Sequence, residues 1–190
     1  MTKSETTFLE FIRCIVNGNN DEVARLVKID PSLATKSADA GATAQDPATY
    51  YFAEISHYLY RGDTALHMAA AAFQRPIGEF LVEQGADLRA RNRRGAEPLH
   101  YASDTNHWDP VAQAGMISFL ASKGADLNSR DKNGVTPLHR AVRTRSLPAV
   151  QALLDSGVDP MLRNSSGSTP LHLAVQNTGR GGSGTDHAKD

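Results

Sequence analysis

Gly134-Val135-Thr136-Pro137-Leu138-His139-Arg140-Ala141 is the stretch that decides how this 190-residue chain is read. It recurs upstream as Gly62-Asp63-Thr64-Ala65-Leu66-His67-Met68-Ala69 and as Gly95-Ala96-Glu97-Pro98-Leu99-His100-Tyr101-Ala102. It recurs downstream as Gly167-Ser168-Thr169-Pro170-Leu171-His172-Leu173-Ala174. The leading glycines stand 33, 39 and 33 residues apart. Gly85-Ala86-Asp87, Gly124-Ala125-Asp126 and Gly157-Val158-Asp159 follow the first three copies. Each position has a physical task. Thr136 and Thr169 offer a hydroxyl to the free N–H groups that open a helix. Pro137 and Pro170 fall at the first helical position, where a missing N–H costs nothing. The four leucines supply core, and the closing alanines let neighbouring units approach closely. Gly85, Gly124 and Gly157 stop a second helix in a left-handed turn.

A fixed period of this kind marks stacked units that cannot bury their apolar faces alone. The octets resemble the ankyrin repeat, with its period of 33 and its T-P-L-H-x-A core, over roughly residues 60–178. The resemblance implies an all-α fold, a solenoid of helix-turn-helix units joined by short β-hairpin loops. Second helices read apolar at helical spacing in Phe80-Leu81-Val82, Ile117-Phe119-Leu120 and Val150-Leu153-Leu154. Helix pairs are expected over 6–29, 64–84, 97–123 and 136–156, with a lone helix over 169–177. Two copies depart from the pattern. Ala65 replaces the proline of the first, and Glu97 replaces the threonine of the second, where its charge favours the helix dipole.

The expected organisation is a single domain over 1–190. Residues 6–34 form an atypical first repeat, with Phe8, Leu9, Phe11, Ile12, Ile15 and Val16 on one helix face and Asp21 capping a second helix. That second helix stops at Asp30-Pro31. Residues 35–60 are an insertion. Thr35 to Ala44 reads as loop, and apolar positions 51, 52, 55, 58 and 59 predict a short helix whose Tyr51, Phe52 and Ile55 pack back onto the first repeats. Repeats follow at 61–94, 95–133 and 134–166. The extra residues of the second lie in Ser103 to Pro110 and lengthen the turn between its helices. The segment 167–190 is an incomplete repeat. Its Leu171, Leu173 and Val175 are expected to lack a covering helix, which leaves part of Val150, Leu153 and Leu154 bare and residues 178–190 poorly anchored. Such an end either self-associates or is shortened relative to the natural protein.

Composition bounds the chemistry. Hydrophobic residues make up 40% and charged residues 22%, as in globular proteins. The lone Cys14 excludes an intramolecular disulfide framework and any multi-cysteine zinc site. It falls on an apolar helix face and reads as an inert thiol. No apolar run is long enough to cross a membrane, and the start lacks the apolar stretch of a secretory signal. A cytoplasmic protein is therefore expected. The motif histidines recur one repeat apart instead of converging on an ion, so no metal is expected, and the resemblance implies that each bonds to the motif threonine and nearby backbone. His57, His107 and His187 are isolated and read as surface residues. No nucleophile elbow, paired carboxylates or zinc-protease helix appears. Gly179 to Gly184 lacks the lysine and preceding strand of a phosphate loop. No cofactor and no enzymatic activity are expected.

One local charge bias stands out. The whole chain carries −1, yet residues 89–145 hold ten Lys/Arg against five Asp/Glu. Arg89, Arg91, Arg93 and Arg94 cluster where the resemblance places a hairpin finger, Arg130 and Lys132 lie on the next finger, and Arg140, Arg143 and Arg145 on the helix after it. In ankyrin proteins the fingers and first helices line the concave binding face. The resemblance thus implies a protein-interaction scaffold, and the charge bias on that face reads either as a solvated charged face or as a patch for a partner with an acidic surface. The candidate contact residues are Arg61, Asp63, Arg89, Arg91, Arg93, Arg94, Ala96, Lys132, Asn133, Val135, Arg143, Thr144, Ser166 and Ser168. The alternative is a regulatory module of a larger enzyme or effector. Nucleic-acid binding is disfavoured, because no aromatics interleave with the arginines to stack bases.

Overall fold

The computed structural model describes residues 3–104 and 109–176. Nine α-helices are found among them: α1 (Lys3–Val16), α2 (Asn20–Ile29), α3 (Ala65–Ala71), α4 (Arg75–Glu83), α5 (Pro98–Ala102), α6 (Pro110–Ser122), α7 (Pro137–Arg143), α8 (Leu147–Asp155) and α9 (Pro170–Gln176). The expected all-α stack and its helix pairs are present. Inner helices α3, α5, α7 and α9 pack in succession, as do α6 and α8 on the outer layer. Leu66, Leu99 and Leu138 are buried between layers. Alanine allows the close approach: Ala69, Ala102 and Ala141 are fully buried.

At the first turn the cap is Asn19, not Asp21. Gly18 takes φ 69°, and α2 starts just behind it, at Asn20, two residues earlier than a cap at Asp21 implies. The Asn19 side chain then accepts from the Glu22 N–H at 3.3 Å, and Asp21 falls inside the first turn. Asp30 ends α2 as expected and accepts from the Ser32 N–H at 3.1 Å, opening a 3-10 turn over Pro31–Ala34.

The insertion is not a helix. Tyr51–Phe52 (β1) and His57–Tyr58 (β2) form an antiparallel hairpin with Tyr51 opposite Tyr58 and Phe52 opposite His57. The turn closes through a 3-10 segment, Ala53–Ile55, and Ser56 at φ 48°. Aromatic side chains favour a pleated, half-buried surface, and five of them sit between Tyr50 and Tyr58 or at Tyr60. The apolar positions that mimic helical spacing instead alternate across the ribbon: Phe52, Ile55 and Leu59 are buried, while Tyr51 is 38% exposed. Phe52 and Ile55 thus pack back as expected, and Tyr51 does not. The loop before the hairpin is sewn to the first finger, since Ala38 N–H donates to Asp63 C=O at 2.7 Å and Gly62 N–H to Ala38 C=O at 2.9 Å.

Gln113 of α6 closes the enlarged turn. Its side-chain amide donates to the carbonyls of Ala102 (3.0 Å) and Asp104 (3.1 Å), and its oxygen accepts from Ser146 Oγ at 2.6 Å. At the far end Leu153 is fully buried, contrary to expectation, because α6 covers it. Leu154, Leu171 and Val175 are exposed at 43%, 70% and 65%. The expectation of weak anchoring over 178–190 lies outside the described residues, as do His107 and His187.

Candidate partner-binding site

The fingers are built by one recurring device. The Oδ1 atoms of Asn92, Asp131 and Asn164 each accept two backbone N–H groups, from Arg94 and Ala96, from Asn133 and Val135, and from Ser166 and Ser168, at 2.9–3.1 Å. Side chains of this type compete well for nearby backbone donors and so hold tight turns. Each tip then bonds to the next. Arg93 N–H donates to Arg61 C=O, Lys132 N–H to Arg94 C=O, and Ser165 N–H to Asn133 C=O, all at 2.9 Å. The close approach demands glycine, since a Cβ at Gly134 (φ 68°) would lie 2.8 Å from the Ser165 nitrogen.

Behind the tips, histidines tie the repeats together. Nδ1 of His67, His100 and His139 accepts the backbone N–H of Thr64, Glu97 and Thr136 at 3.1–3.3 Å. The hydrogen-bond pattern therefore assigns the proton to Nε2, which points at the carbonyl of the following repeat: Ala96 (3.0 Å), Val135 (3.0 Å) and Ser168 (2.9 Å). The contact to the threonine implied by the resemblance is present for His67 and His139, at 2.9 and 2.8 Å, while His100 meets Glu97 in that place, and all three continue across the repeat boundary. Burial lowers the pKa of all three rings, for His100 to about 3.

The candidate residues fall into three groups. Arg61, Arg89, Arg91, Arg93, Arg94, Lys132, Asn133, Arg143 and Ser166 are exposed. Val135, Thr144 and Ser168 are half-buried; the Thr144 hydroxyl donates back to Arg140 C=O at 2.9 Å, and Ser168 C=O receives His139. Asp63 and Ala96 are fully buried and offer nothing to a partner. Asp63 accepts from Tyr60 N–H (2.6 Å), Asn92 Nδ2 (2.8 Å) and Tyr101 Oη (2.9 Å), and burial raises its pKa. Arg140 also leaves the basic face. It is buried against Asp104 (2.6 Å) and Asp131 (3.3 Å), with exposed Arg143 reaching Asp104 at 3.4 Å. Burial opposes ionisation of Asp104, but the two arginines outweigh it and hold its pKa below the usual carboxylate value.

The arginines of the finger are ordered by their surroundings. Arg91 donates to Gly95 C=O at 3.1 Å and to Arg130 C=O on the next finger. Its Nε lies 3.6 Å from buried Glu97, whose pKa burial raises. Arg93 donates to Ala42 C=O at 2.8 Å. Arg93 and Arg94 lie over the Tyr60 ring at 5.1 and 4.4 Å from its centroid. Tyr60 and the hairpin beside it were not candidates on sequence grounds. The available signal was the alternation in Tyr51-Phe52 and His57-Tyr58-Leu59-Tyr60. His57 is half-buried, not a surface residue, with its ring edge-on to Tyr101 at 4.7 Å. Cys14 is partly buried, and burial together with Glu22 and Glu10 raises its pKa, which disfavours the thiolate. No described helix is long and apolar enough to cross a membrane.

Comparison with known proteins agrees with this geometry. Residues 61–93 and 94–132 each match the ankyrin repeat, and residues 120–174 match the family described as ankyrin repeats in many copies. An ankyrin and IPT/TIG repeat-containing protein of Schizosaccharomyces pombe is 33% identical over 92 residues, which cover 46% of this chain and 8% of that protein. Ankyrin repeats generally mediate protein–protein contacts and are generally non-catalytic. With its four motifs, stacked helix pairs and linked fingers, the chain belongs to the ankyrin repeat family.

Proposed function

We propose that the chain is a non-enzymatic scaffold that binds the acidic surface of a protein partner along its finger edge. One observation carries this reading. Arg61, Arg89, Arg93, Arg94, Arg130 and Lys132 form no ion pair with any described carboxylate, while the backbone bonds between tips fix their spacing. A patch of one sign with fixed spacing steers and orients an oppositely charged partner. Val135, Thr144 and Ser168 serve this edge as framework, and Asn133 and Ser166 extend it as uncharged tips. Affinity capture from lysate with the natural chain and with an Arg94→Glu/Lys132→Glu variant tests the reading. A bound protein should be lost with the variant and should elute at raised ionic strength, because exposed charges are screened within about 8 Å at physiological salt. A partner retained by the variant and indifferent to salt would refute it.

A second reading has its own observation. The match covers 8% of the S. pombe relative, so ankyrin repeats there sit inside a much longer chain. This supports a regulatory module of a larger protein, to be checked by the mass of the native polypeptide. The exposed Leu171 and Val175 support one further contact, end-to-end self-association of the array.

A further inference from the structure

The insertion hairpin places a row of tyrosines against the basic finger. Tyr51 and Tyr58 face each other across the ribbon with ring centroids 4.8 Å apart, and Tyr58 lies 6.3 Å from Tyr60. Tyr60 in turn lies under Arg94 and Arg93. On the opposite side Phe52 and Leu59 are buried at 2% and 1%, so the ribbon is fixed to the body, with Tyr58 and Tyr60 packed against the core by part of their surface. Tyr51 is exposed, and Tyr58 and Tyr60 are half-buried. Rigid tyrosines beside arginines have the composition that concentrates binding energy in protein interfaces. The hairpin lies in residues 51–60, before the first matched repeat at 61–93.

We infer that Tyr51, Tyr58 and Tyr60 together with Arg93, Arg94 and Arg61 form a composite docking platform for an extended acidic peptide of a partner protein. Its carboxylates pair with the guanidinium groups, and an interspersed aliphatic side chain lies on Tyr51 and Tyr58. Charge complementarity selects the occupant: the arginine end carries three cations without a described carboxylate partner. Ring geometry disfavours a single-stranded nucleic acid. The tyrosine planes are tilted by 47° and 44° to one another, and Arg94 covers Tyr60, so no parallel ladder is open to successive bases. Arg94 over Tyr60 has no hydrogen bond from its guanidinium among the described residues and can meet a carboxylate in bidentate fashion, while Arg93 gives one Nη to Ala42 C=O and offers its remaining N–H groups.

The proposal rests on the reading of the finger edge as the partner surface, and the test separates the two. Fluorescence anisotropy of the full chain is measured with three labelled probes: an alternating glutamate–leucine peptide, polyglutamate and oligouridylate. The glutamate–leucine peptide should bind best. A Tyr51→Ser/Tyr58→Ser variant should weaken that peptide about tenfold and leave polyglutamate unchanged. Arg94→Glu should weaken both. Thermal melts verify that each variant folds. If the tyrosine variant binds the glutamate–leucine peptide as the natural chain does, the platform is refuted while the basic finger stands. If Arg94→Glu also changes nothing, both readings fall. Tighter binding of oligouridylate, or no binding of the glutamate–leucine peptide, overturns the proposal.

Discussion

His67, His100 and His139 commit both ring nitrogens, one to the helix start of their own repeat and one to the next repeat's carbonyl. Only the neutral ring can do both, since a protonated Nδ1 has no lone pair to accept with. Their folded pKa values lie below the ordinary 6.5, so below that pH the unfolded chain binds more protons than the folded one. Their contribution is complete above pH 6.5 and falls as pH drops, for His100 down to about 3. The slope is about 1.4 kcal/mol per pH unit for each ring kept neutral. Urea midpoints should therefore decrease between neutral pH and about pH 5, and His100→Gln should remove one ring's share of that slope. Buried Asp63 and Glu97, with raised pKa values, act in the opposite sense in acid, so the variant isolates the histidine share. A slope unchanged by His100→Gln would show that this ring takes up its proton without leaving its place. The histidines were legible in the sequence because their two helix-start partners are three residues away and recur with the motif. The burial of Asp63 was not, because Asn92 and Tyr101, which hold it, lie 29 and 38 residues downstream.

Among elements, the turn between α5 and α6 depends on two polar anchors, Gln113 and the Asp104–Arg140 pair. Removing one member of a buried pair strands the other's charge. Asp104→Ala should therefore cost about 3–5 kcal/mol, while Asp104→Leu/Arg140→Met should recover much of that loss. Chemical denaturation of the two variants measures both values. An Asp104→Ala chain as stable as the natural one would show that Asp131 alone satisfies Arg140. The helix pairs could be read from sequence because proline, glycine and apolar spacing all agree at their ends. The hairpin could not. Over so few residues, with a tight turn at Ser56, apolar positions 51, 52, 55, 58 and 59 satisfy a helical spacing and a folded ribbon alike. The aromatic content that decides for the ribbon is a composition effect, which spacing does not register. The basic face was also overdrawn in one place: counting charges along 89–145 included Arg140, which faces inward toward Asp104 and Asp131.

At the scale of the whole molecule, each repeat touches its neighbours and little else, so stability accumulates interface by interface. The exposed Leu171 and Val175 of α9, with Leu154 nearby in sequence on α8, mark apolar surface that another unit could cover. Fusing an amphipathic helix behind the array should raise the melting temperature and suppress any self-association seen by sedimentation. The gain is a few kcal/mol at about 25 cal/mol per Å² of apolar surface buried. An unchanged melting temperature would mean that this surface is already covered in solution. The tip-to-tip bonds have a different consequence. They run as a single file of backbone contacts at 2.9 Å along one edge, joined by the histidine bonds behind them. Stretched by its two ends in an optical trap, such an array is loaded in series. It should give way one unit at a time as a train of small force drops, starting from the unit with the fewest neighbours, and rewind in the reverse order when the tension is released.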